Sequence, residues 1–245
     1  MITLGVDLAS ADENTAACTI RWARGCAVAE VECGQDNESL LGLLNQADKA
    51  GVDVPFGWPD AFVDELTRYH GGGPWFAEDR APLKFRATDL DVAARADKKP
   101  LSVSSQLIAV PAMRAARLFT RLAQLGIPVD RAGGGRLVEV YPAAALKIWQ
   151  LPFTQYKDAK GAGLRRKIFT MLRARTSAWL NLDDAACATC IRSDDALDAL
   201  VAALVARAAA LGRCQKPPRE HEERARREGW IALPPPDALD WLATP

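Results

Sequence analysis

The sequence predicts an α/β protein, because strand-like and helix-like segments alternate along the chain. Residues 2–7 alternate apolar side chains with polar or small ones and indicate a half-buried strand that ends at Asp7. Residues 15–22 and 26–33 are further strand-like runs joined by a tight turn at Gly25, which predicts a hairpin and hence a three-stranded meander. Residues 193–211 predict a long apolar helix, with Ser193 as its N-cap and Gly212 at its end.

The other elements follow from periodicity and from residues that break helices or strands. Helices are expected at 39–50 (ended by Gly51), 59–68, 110–125, 142–150 and 164–176. A very short strand is expected at 52–54, and residues 127–132 and 136–141 predict a second hairpin or a strand with a flexible entry. Residues 151–163 are irregular, 181–192 are ambiguous, and 229–233 can add an edge strand.

Length and composition predict one domain over residues 1–245. The chain is 49% apolar, which is enough for a sizeable core. Residues 71–105 contain few long apolar runs and are expected to form a loop-rich insertion or an exposed lid. Residues 213–245 are expected to form a C-terminal tail.

Charge and cysteine content narrow the classes of protein. The formal net charge is zero, so a strongly basic nucleic-acid coat is absent and any polyanion site must be local. No apolar run reaches the ~18 residues that a membrane span requires, and no secretory signal is visible at Met1, so we expect a cytoplasmic protein that does not bind membranes. Cys187 and Cys190 form a C-x-x-C pair without further zinc ligands or a redox context.

Acidic residues occupy four places that packing alone would not choose. Asp7 ends the first strand, next to the small residues Ala9 and Ser10. Asp53 and Glu139 each lie between two valines in a short strand, so each carboxylate faces away from its valines and either meets solvent or enters a site. The fourth place is the start of the long helix. Taken alone, a strand-end aspartate such as Asp7 is adequately explained as the start of a turn.

The helix start is the most informative of these places. Asp194 and Asp195 lie in the first turn, where the helix dipole favours carboxylates by ~0.3–1 kcal/mol. Asp198 lies one turn deeper, at the edge of the apolar stripe, where an unpaired buried carboxylate is costly. We therefore expect a nearby Lys or Arg, or a metal ion, to compensate it. Helix geometry favours Asp194 as its partner, at i−4.

A metal site in this chain would have to use oxygen ligands. Only two histidines are present, His70 and His221, and neither has a partner at ligand spacing. Carboxylates are typical ligands of hard cations such as Mg²⁺ or Mn²⁺. Two such ions ~3.5–4 Å apart can activate a water and stabilise the leaving oxygen of a phosphodiester.

The order of these motifs resembles the DUF429 family (predicted RNase H-like nucleases) and, more widely, the ribonuclease H-like fold. The matching stretches lie at 5–9, 52–57, 86–89, 138–142 and 194–200. The resemblance implies a mixed sheet, an antiparallel three-strand meander plus parallel strands, flanked by helices and with acids converging at one edge. It also implies a Mg²⁺- or Mn²⁺-dependent nuclease that cleaves DNA or RNA by a two-metal mechanism, with catalytic metal ligands at Asp7, Asp53, Glu139, Asp195 and Asp198.

Several alternatives remain open at this level. Holliday-junction resolvases end in a similar D-x-x-D-A helix, which pairs Asp195 rather than Asp194 with Asp198. Lys84 and Arg86 are candidate phosphate contacts, although a solvated loop charge is the favoured explanation for each. The other functions considered are an ATP-dependent kinase or ATPase of the sugar-kinase and actin type, and a non-catalytic nucleic-acid-binding module. The kinase hypothesis lacks a second glycine-rich phosphate loop in a suitable context.

Overall fold

A six-stranded mixed sheet forms the centre of the computed structural model, which describes residues 1–244. Its strands are β1 (Ile2–Asp7), β2 (Ala16–Ala23), β3 (Cys26–Cys33), β4 (Lys49–Asp53), β5 (Leu137–Glu139) and β6 (Leu180–Leu182), in the order β5-β4-β1-β2-β3-β6. β1, β2 and β3 form the antiparallel meander, while β4, β5 and β6 each pair in parallel with their neighbours. The predicted α/β fold with a mixed sheet is therefore confirmed, and it is consistent with a ribonuclease H-like fold.

Helices cover both faces of the sheet. They are α1 (Asn37–Gln46), α2 (Asp60–His70), α3 (Ala81–Lys84), α4 (Ala87–Ala96), α5 (Gln106–Gln124), α6 (Pro142–Ile148), α7 (Ala162–Thr176), α8 (Asp184–Arg192), α9 (Asp194–Ala210), α10 (Glu222–Glu228) and α11 (Ala238–Trp241). One face packs against α9, with α6, α7 and α8 outside it, and the other packs against α1 and α5. None of the helices within residues 1–244 has the length and apolar character needed to cross a bilayer.

The long helix α9 is the central helix of the fold. Ser193 caps it by accepting a hydrogen bond from the Ala196 N–H, as predicted. Its residues from Ala196 to Ala208 are buried on all sides, because the sheet lies beneath it and α6, α7 and α8 surround it. The sequence indicated only an apolar stripe, so the structure buries more of this helix than expected.

Gly51 has a different role from the predicted one. Helix α1 ends at Gln46, and residues 49–53 form β4 between β1 and β5, so the expected helix at 39–50 is four residues too long. Gly51 is opposite Gly5 in the parallel register of β4 and β1. A Cβ atom on Gly51 would lie 2.6 Å from the carbonyl oxygen of Ala202, so the glycine permits close packing of α9 rather than ending a helix.

The predicted second hairpin is not formed. Residues 127–132 make an irregular connection in which Asp130 accepts hydrogen bonds from the N–H groups of Ala132 and Gly134. Only β5 forms, and it pairs with β4 in parallel. The edge strand expected at 229–233 is reduced to one bridge between Ile231 and Glu139.

The insertion and the tail are integrated into the domain. Residues 71–80 are mostly exposed, but Arg86, Asp89 and Val92 further along the insertion are buried, so the segment as a whole is not an exposed lid. In the tail, Glu228 and Trp230 are buried against this same segment. Both segments therefore complete the core next to β5.

Helix α5 buries one face against the sheet. Met113 is exposed, and the buried residues are Ala112, Ala115, Leu118, Phe119 and Leu122. On the same helix, the Arg114 guanidinium donates to the carbonyl oxygens of Ala9 and Gln35. Arg114 thus fixes the loop that follows β1 rather than forming a free basic surface.

Candidate functional site

The same tripeptide, Gly-Val-Asp, ends two neighbouring strands. It stands at 5–7 in β1 and at 51–53 in β4, and the two copies are in register, so that Asp7 is paired with Asp53. Adjacent parallel strands lie about 4.8 Å apart, and their carboxyl ends meet at one edge of the sheet. The fold therefore places these two half-buried carboxylates side by side.

Helix α9 brings a third carboxylate to this edge. The two glycines of the repeated tripeptide leave no side chain between the sheet and the helix, so that Gly5 lies directly under the backbone of Ala199 and Ala203. Asp198 precedes Ala199 and is fully buried. It interacts electrostatically with both Asp7 and Asp53. Asp7, Asp53 and Asp198 thus lie close enough for their charges to influence one another.

Asp198 is compensated by two consecutive residues from the loop between α6 and α7. The Tyr156 hydroxyl donates a hydrogen bond of 2.8 Å to Asp198 Oδ1. Lys157 Nζ lies 2.7 Å from Oδ2, but off the direction that a hydrogen bond requires, so this buried oxygen is balanced by charge without a directed bond. The Lys157 side chain is itself 55% exposed. Of the two expected forms of compensation, the structure contains the lysine.

The three carboxylates shift one another's pKa. Burial and then the neighbouring Asp53 and Asp198 raise the pKa of Asp7 well above its usual range. Burial raises the pKa of Asp53 to about 7; the charge of Asp198 adds to this rise, and that of Lys157 opposes it. Burial likewise raises the pKa of Asp198, against the opposing effect of Lys157 and Tyr156. The positive charge of Lys157 is therefore not enough to hold the three carboxylates at their usual pKa.

Asp194 and Asp195 point to different partners. Asp194 Oδ1 lies 3.7 Å from a guanidinium nitrogen of Arg165, whose side chain is buried. Asp195 is among the groups that raise the pKa of Asp7, and burial followed by the charge of Asp194 raises its own pKa. Of these two residues, Asp195 is thus the one whose charge reaches Asp7.

Glu139 belongs to a buried ion network beside the carboxylate cluster. Its two oxygens accept hydrogen bonds from Arg86, at 2.9 and 2.7 Å, and Oε2 also accepts one from the Phe56 N–H at 2.9 Å. Arg86 is 2% exposed and also donates to Asp89 and to the carbonyl oxygen of Glu228. These contacts use all the guanidinium N–H directions of Arg86, which argues against its predicted contact with phosphate. Glu139 accepts three of these hydrogen bonds, two of them at Oε2, and is thus already paired with a cation.

The structure also bears on two other predictions, the phosphate contact of Lys84 and the binding of a metal ion. Lys84 is exposed on α3 and lines a different hollow, together with Trp75 and Arg80. Within residues 1–244, no three acid, cysteine or histidine side chains are arranged so that they would already hold a metal ion. The oxygen donors nevertheless suit Mg²⁺ or Mn²⁺, because the buried Asp198 Oδ2 lacks a directed hydrogen bond and is balanced by the Lys157 ammonium, which a divalent cation would have to displace.

A cavity of about 420 Å³ opens beside Asp53. Its walls come from the ends of β4 and β5, from the loop after α4 and from the loop before α7. The residues that matter for its chemistry are Asp53, Lys98, Lys99, Tyr141, Phe153 and Lys157. Burial and the charge of Asp53 raise the pKa of Tyr141 to about 12, so this phenol stays protonated and can donate a hydrogen bond.

Sequence reasoning missed Tyr156 and Lys157. They lie in the segment interpreted as irregular, and two non-glycine residues beside them, Gln155 and Asp158, have left-handed backbone angles (φ 59° and 67°) that no periodic pattern indicates. For the strand-end carboxylates, by contrast, the sequence does contain an informative pattern. The repeat of Gly-Val-Asp at 5–7 and 51–53 marks two equivalent strand ends, and it would have placed Gly51 in a strand.

Comparison with models of known protein families gives a match over most of the chain. A family model described as "Protein of unknown function (DUF429)" matches residues 5–223. No curated protein matches the chain.

Proposed function

Since the chain belongs to the DUF429 family, whose description assigns no function, we propose from the site itself that it is a metal-dependent nuclease. The proposal is that it hydrolyses phosphodiester bonds of a nucleic acid with Mg²⁺ or Mn²⁺ at the strand-end carboxylates. One observation carries it: Asp7, Asp53 and Asp198 meet at one sheet edge, and each has a raised pKa. Clusters of perturbed carboxylates in a cleft are typical of functional sites.

The ligand set in this proposal is narrower than the one first expected. Asp7, Asp53 and Asp198 would hold the metal, with Asp195 at the solvent side. When bound, the metal would supply positive charge for a phosphate oxygen and lower the pKa of a water. Tyr156 orients Asp198 through its hydrogen bond, and Glu139 is left out of this ligand set because it is already paired with Arg86 and the Phe56 N–H.

The kinase alternative finds little support in the glycine-rich loop. Lys49 Nζ donates to the carbonyl oxygens of Gly133 and Gly135, at 3.1 and 2.5 Å, and the Gly134 N–H is bound to Asp130. Lys49 begins β4, so this loop lies at the opposite end of the strand from Asp53. A phosphate would need N–H groups aimed at it next to the carboxylates.

The first test measures metal binding without relying on activity. Mn²⁺ at about 100 times its dissociation constant stabilises a protein by about 2.7 kcal/mol, or roughly 5–10 °C in Tm for a chain of this size. We expect such a rise for the native protein and its loss in Asp7→Asn. Asp64→Asn is the matched control, because Asp64 is an exposed aspartate on α2. A native protein whose Tm is unmoved by Mn²⁺ and Mg²⁺ would contradict the metal site.

A second test asks whether the protein cleaves nucleic acid. Single-stranded, duplex, hybrid and branched nucleic acids are incubated with Mn²⁺, and the native protein and Asp64→Asn are expected to cleave at least one of them. Asp198→Asn is expected to lose cleavage, which excludes a contaminating nuclease. Metal binding without cleavage of any substrate would support the non-catalytic alternative. ATP hydrolysis that requires Asp7 but survives Asp198→Asn would support the kinase alternative.

A further inference from the structure

The cavity beside Asp53 carries positive charge that the fold does not use. Lys98 and Lys99 lie in the loop after α4, at the rim of the cavity. Within the described chain, their ammonium groups contact aromatic rings rather than carboxylates. Lys98 Nζ lies 5.8 Å from the centre of the Phe153 ring, and Lys99 Nζ lies 3.5 Å from that of Phe85. By contrast, the nearby Lys147 is paired with Asp97 at 2.8 Å. Two ammonium groups are thus available to an anion.

The walls of the cavity are largely apolar and aromatic. Phe153 is partly buried against the main core, so its ring is held in place, and Tyr141 lines the cavity beside Asp53. Rigid aromatic rings stack on nucleobases regardless of base identity, since every base has a π-face. Apolar walls combined with a few charged groups at one end suit a ligand that is flat at one end and anionic at the other.

Size limits what can enter. Ligand sites span about 300–1,000 Å³, and the cavity, at about 420 Å³, is at the small end of this range. A volume of this order is closer to that of one nucleotide than to that of a base pair within a duplex. We infer that the cavity receives one unpaired nucleotide of a nucleic-acid strand, with the base against Phe153 and Tyr141 and a phosphate at Lys98 and Lys99.

This inference rests on the proposed function and specifies its substrate class. Asp53 belongs both to the cavity wall and to the carboxylate cluster, so a nucleotide seated in the cavity places the adjoining phosphodiester next to the proposed metal ligands. The substrate is therefore a single strand, or a duplex with an unpaired end or an extruded base. Unpairing a base is least costly where the strand is already single or mismatched.

The test measures binding in EDTA, where no cleavage occurs. A fluorescent oligonucleotide is presented as a single strand, as a blunt duplex and as a duplex with an unpaired end, and affinity is followed by anisotropy over a range of salt. We expect the two substrates with unpaired nucleotides to bind at least ten times more tightly than the blunt duplex. A mononucleotide should compete with them, while inorganic phosphate or a nucleoside alone should compete more weakly.

Variants assign the binding to the cavity. Phe153→Leu keeps apolar bulk but removes the aromatic face, and it is expected to weaken single-strand binding about 5- to 150-fold. Lys98→Ala with Lys99→Ala should also lower the slope of log affinity against log salt by about 0.7–1.4. The control removes the same charge elsewhere, with Arg24→Ala and Lys216→Ala, two exposed residues at the opposite end of the sheet.

The outcomes separate this inference from the proposed function. Equal affinity for blunt duplex and single strand, or equal losses in the Lys98/Lys99 variant and its control, would overturn the inference even if Mn²⁺-dependent cleavage is found. A single-strand preference that depends on Lys98, Lys99 and Phe153 supports it. If that preference is present without any cleavage in Mn²⁺, the nuclease proposal fails while the nucleotide site stands.

Discussion

Lys157 provides the cation nearest to the three clustered carboxylates. Its ammonium lies 2.7 Å from the buried Asp198 and lowers the pKa of Asp7 and Asp53 as well. Those three negative charges in turn raise its own pKa, so it stays protonated. Because its side chain is half-exposed and comes from an irregular loop, it can move toward solvent without disturbing a helix or strand. A divalent ion and Lys157 would then compete for the same carboxylates.

Replacing Lys157 tests this competition. In Lys157→Met we expect the metal-free protein to lose about 1–3 kcal/mol of stability, between the values typical of exposed and buried ion pairs. We also expect Mn²⁺ to raise its Tm by more than it raises that of the native protein, since no ammonium has to be displaced. Thermal unfolding with EDTA and with Mn²⁺ measures both effects.

The matched control for this variant is Lys160→Met, an exposed lysine three residues further along the same loop. It should change neither the stability in EDTA nor the Mn²⁺ response. A smaller Mn²⁺ response in Lys157→Met than in the native protein would mean that Lys157 assists the metal instead of competing with it.

At the residue scale, the sequence predicted the acids better than the bases. Asp198 could be singled out because a carboxylate one turn inside an apolar helix needs a partner, and the structure supplies one. The identity of that partner, Lys157, depends on the path of a loop that has no repeating pattern. Arg86 was misjudged for a related reason: its neighbours Glu139 and Glu228 lie 53 and 142 residues away, so its burial is not visible locally.

At the scale of elements, the site depends on how closely α9 approaches the sheet. A Cβ atom on Gly5 would lie 2.0 Å from the carbonyl oxygen of Ala199 and 2.3 Å from the nitrogen of Ala203. These are backbone atoms of a buried helix, so no side chain can rotate away to make room. Any side chain at Gly5 must therefore lift α9, and Asp198 with it, away from Asp7.

A series of glycine substitutions tests this packing. Gly5→Ala is expected to cost about 3 kcal/mol or more, or to prevent folding, because buried overpacking against backbone cannot relax. Gly51→Ala, with a contact of 2.6 Å, should cost less. Gly42→Ala, on the exposed side of α1 with no atom within 4 Å, should instead stabilise by about 0.5–1 kcal/mol. Urea unfolding measures the stabilities of the three variants. If the stability of Gly5→Ala equalled that of the native protein within experimental error, the packing argument would be contradicted.

The elements with local signals were predicted well, and those fixed by distant packing were not. The meander and α9 follow from alternation, a glycine turn and a serine cap, all of which lie within the elements themselves. β4 is a five-residue strand that carries Lys49 and two small residues, and it is stabilised by β1, β5 and α9. Its existence depends on neighbours that are up to about 150 residues away, so Gly51 alone could not distinguish a strand from a helix end.

At the scale of the whole molecule, the buried carboxylates make stability depend on pH. The pKa of Asp53 is raised to about 7 in the folded protein, against 3.8 ordinarily. Between about pH 4 and pH 7 the folded state therefore binds more protons than the unfolded chain. Below about pH 4, Asp53 makes its whole contribution to the free energy of unfolding. This contribution is lost as the pH rises through 7.

This pH dependence can be measured by comparing the native protein with Asp53→Asn in EDTA. Relative to the variant, the native protein should lose stability on the order of 4 kcal/mol between pH 4 and pH 8. Mn²⁺ should reverse the trend, because metal binding requires the deprotonated carboxylates and strengthens over the same window. Parallel stability curves for the two proteins in EDTA would show that Asp53 titrates normally.

The central position of β1 has a consequence for the order in which the sheet is made. β1 is synthesised before the other strands of the sheet, yet the helix that covers it begins only at Asp194, and Glu228, which completes the Arg86 network, comes later still. Until α9 emerges, the sheet has one uncovered apolar face and Asp7 lacks Asp198. The carboxylate cluster therefore cannot form on a nascent chain until synthesis has passed the start of α9.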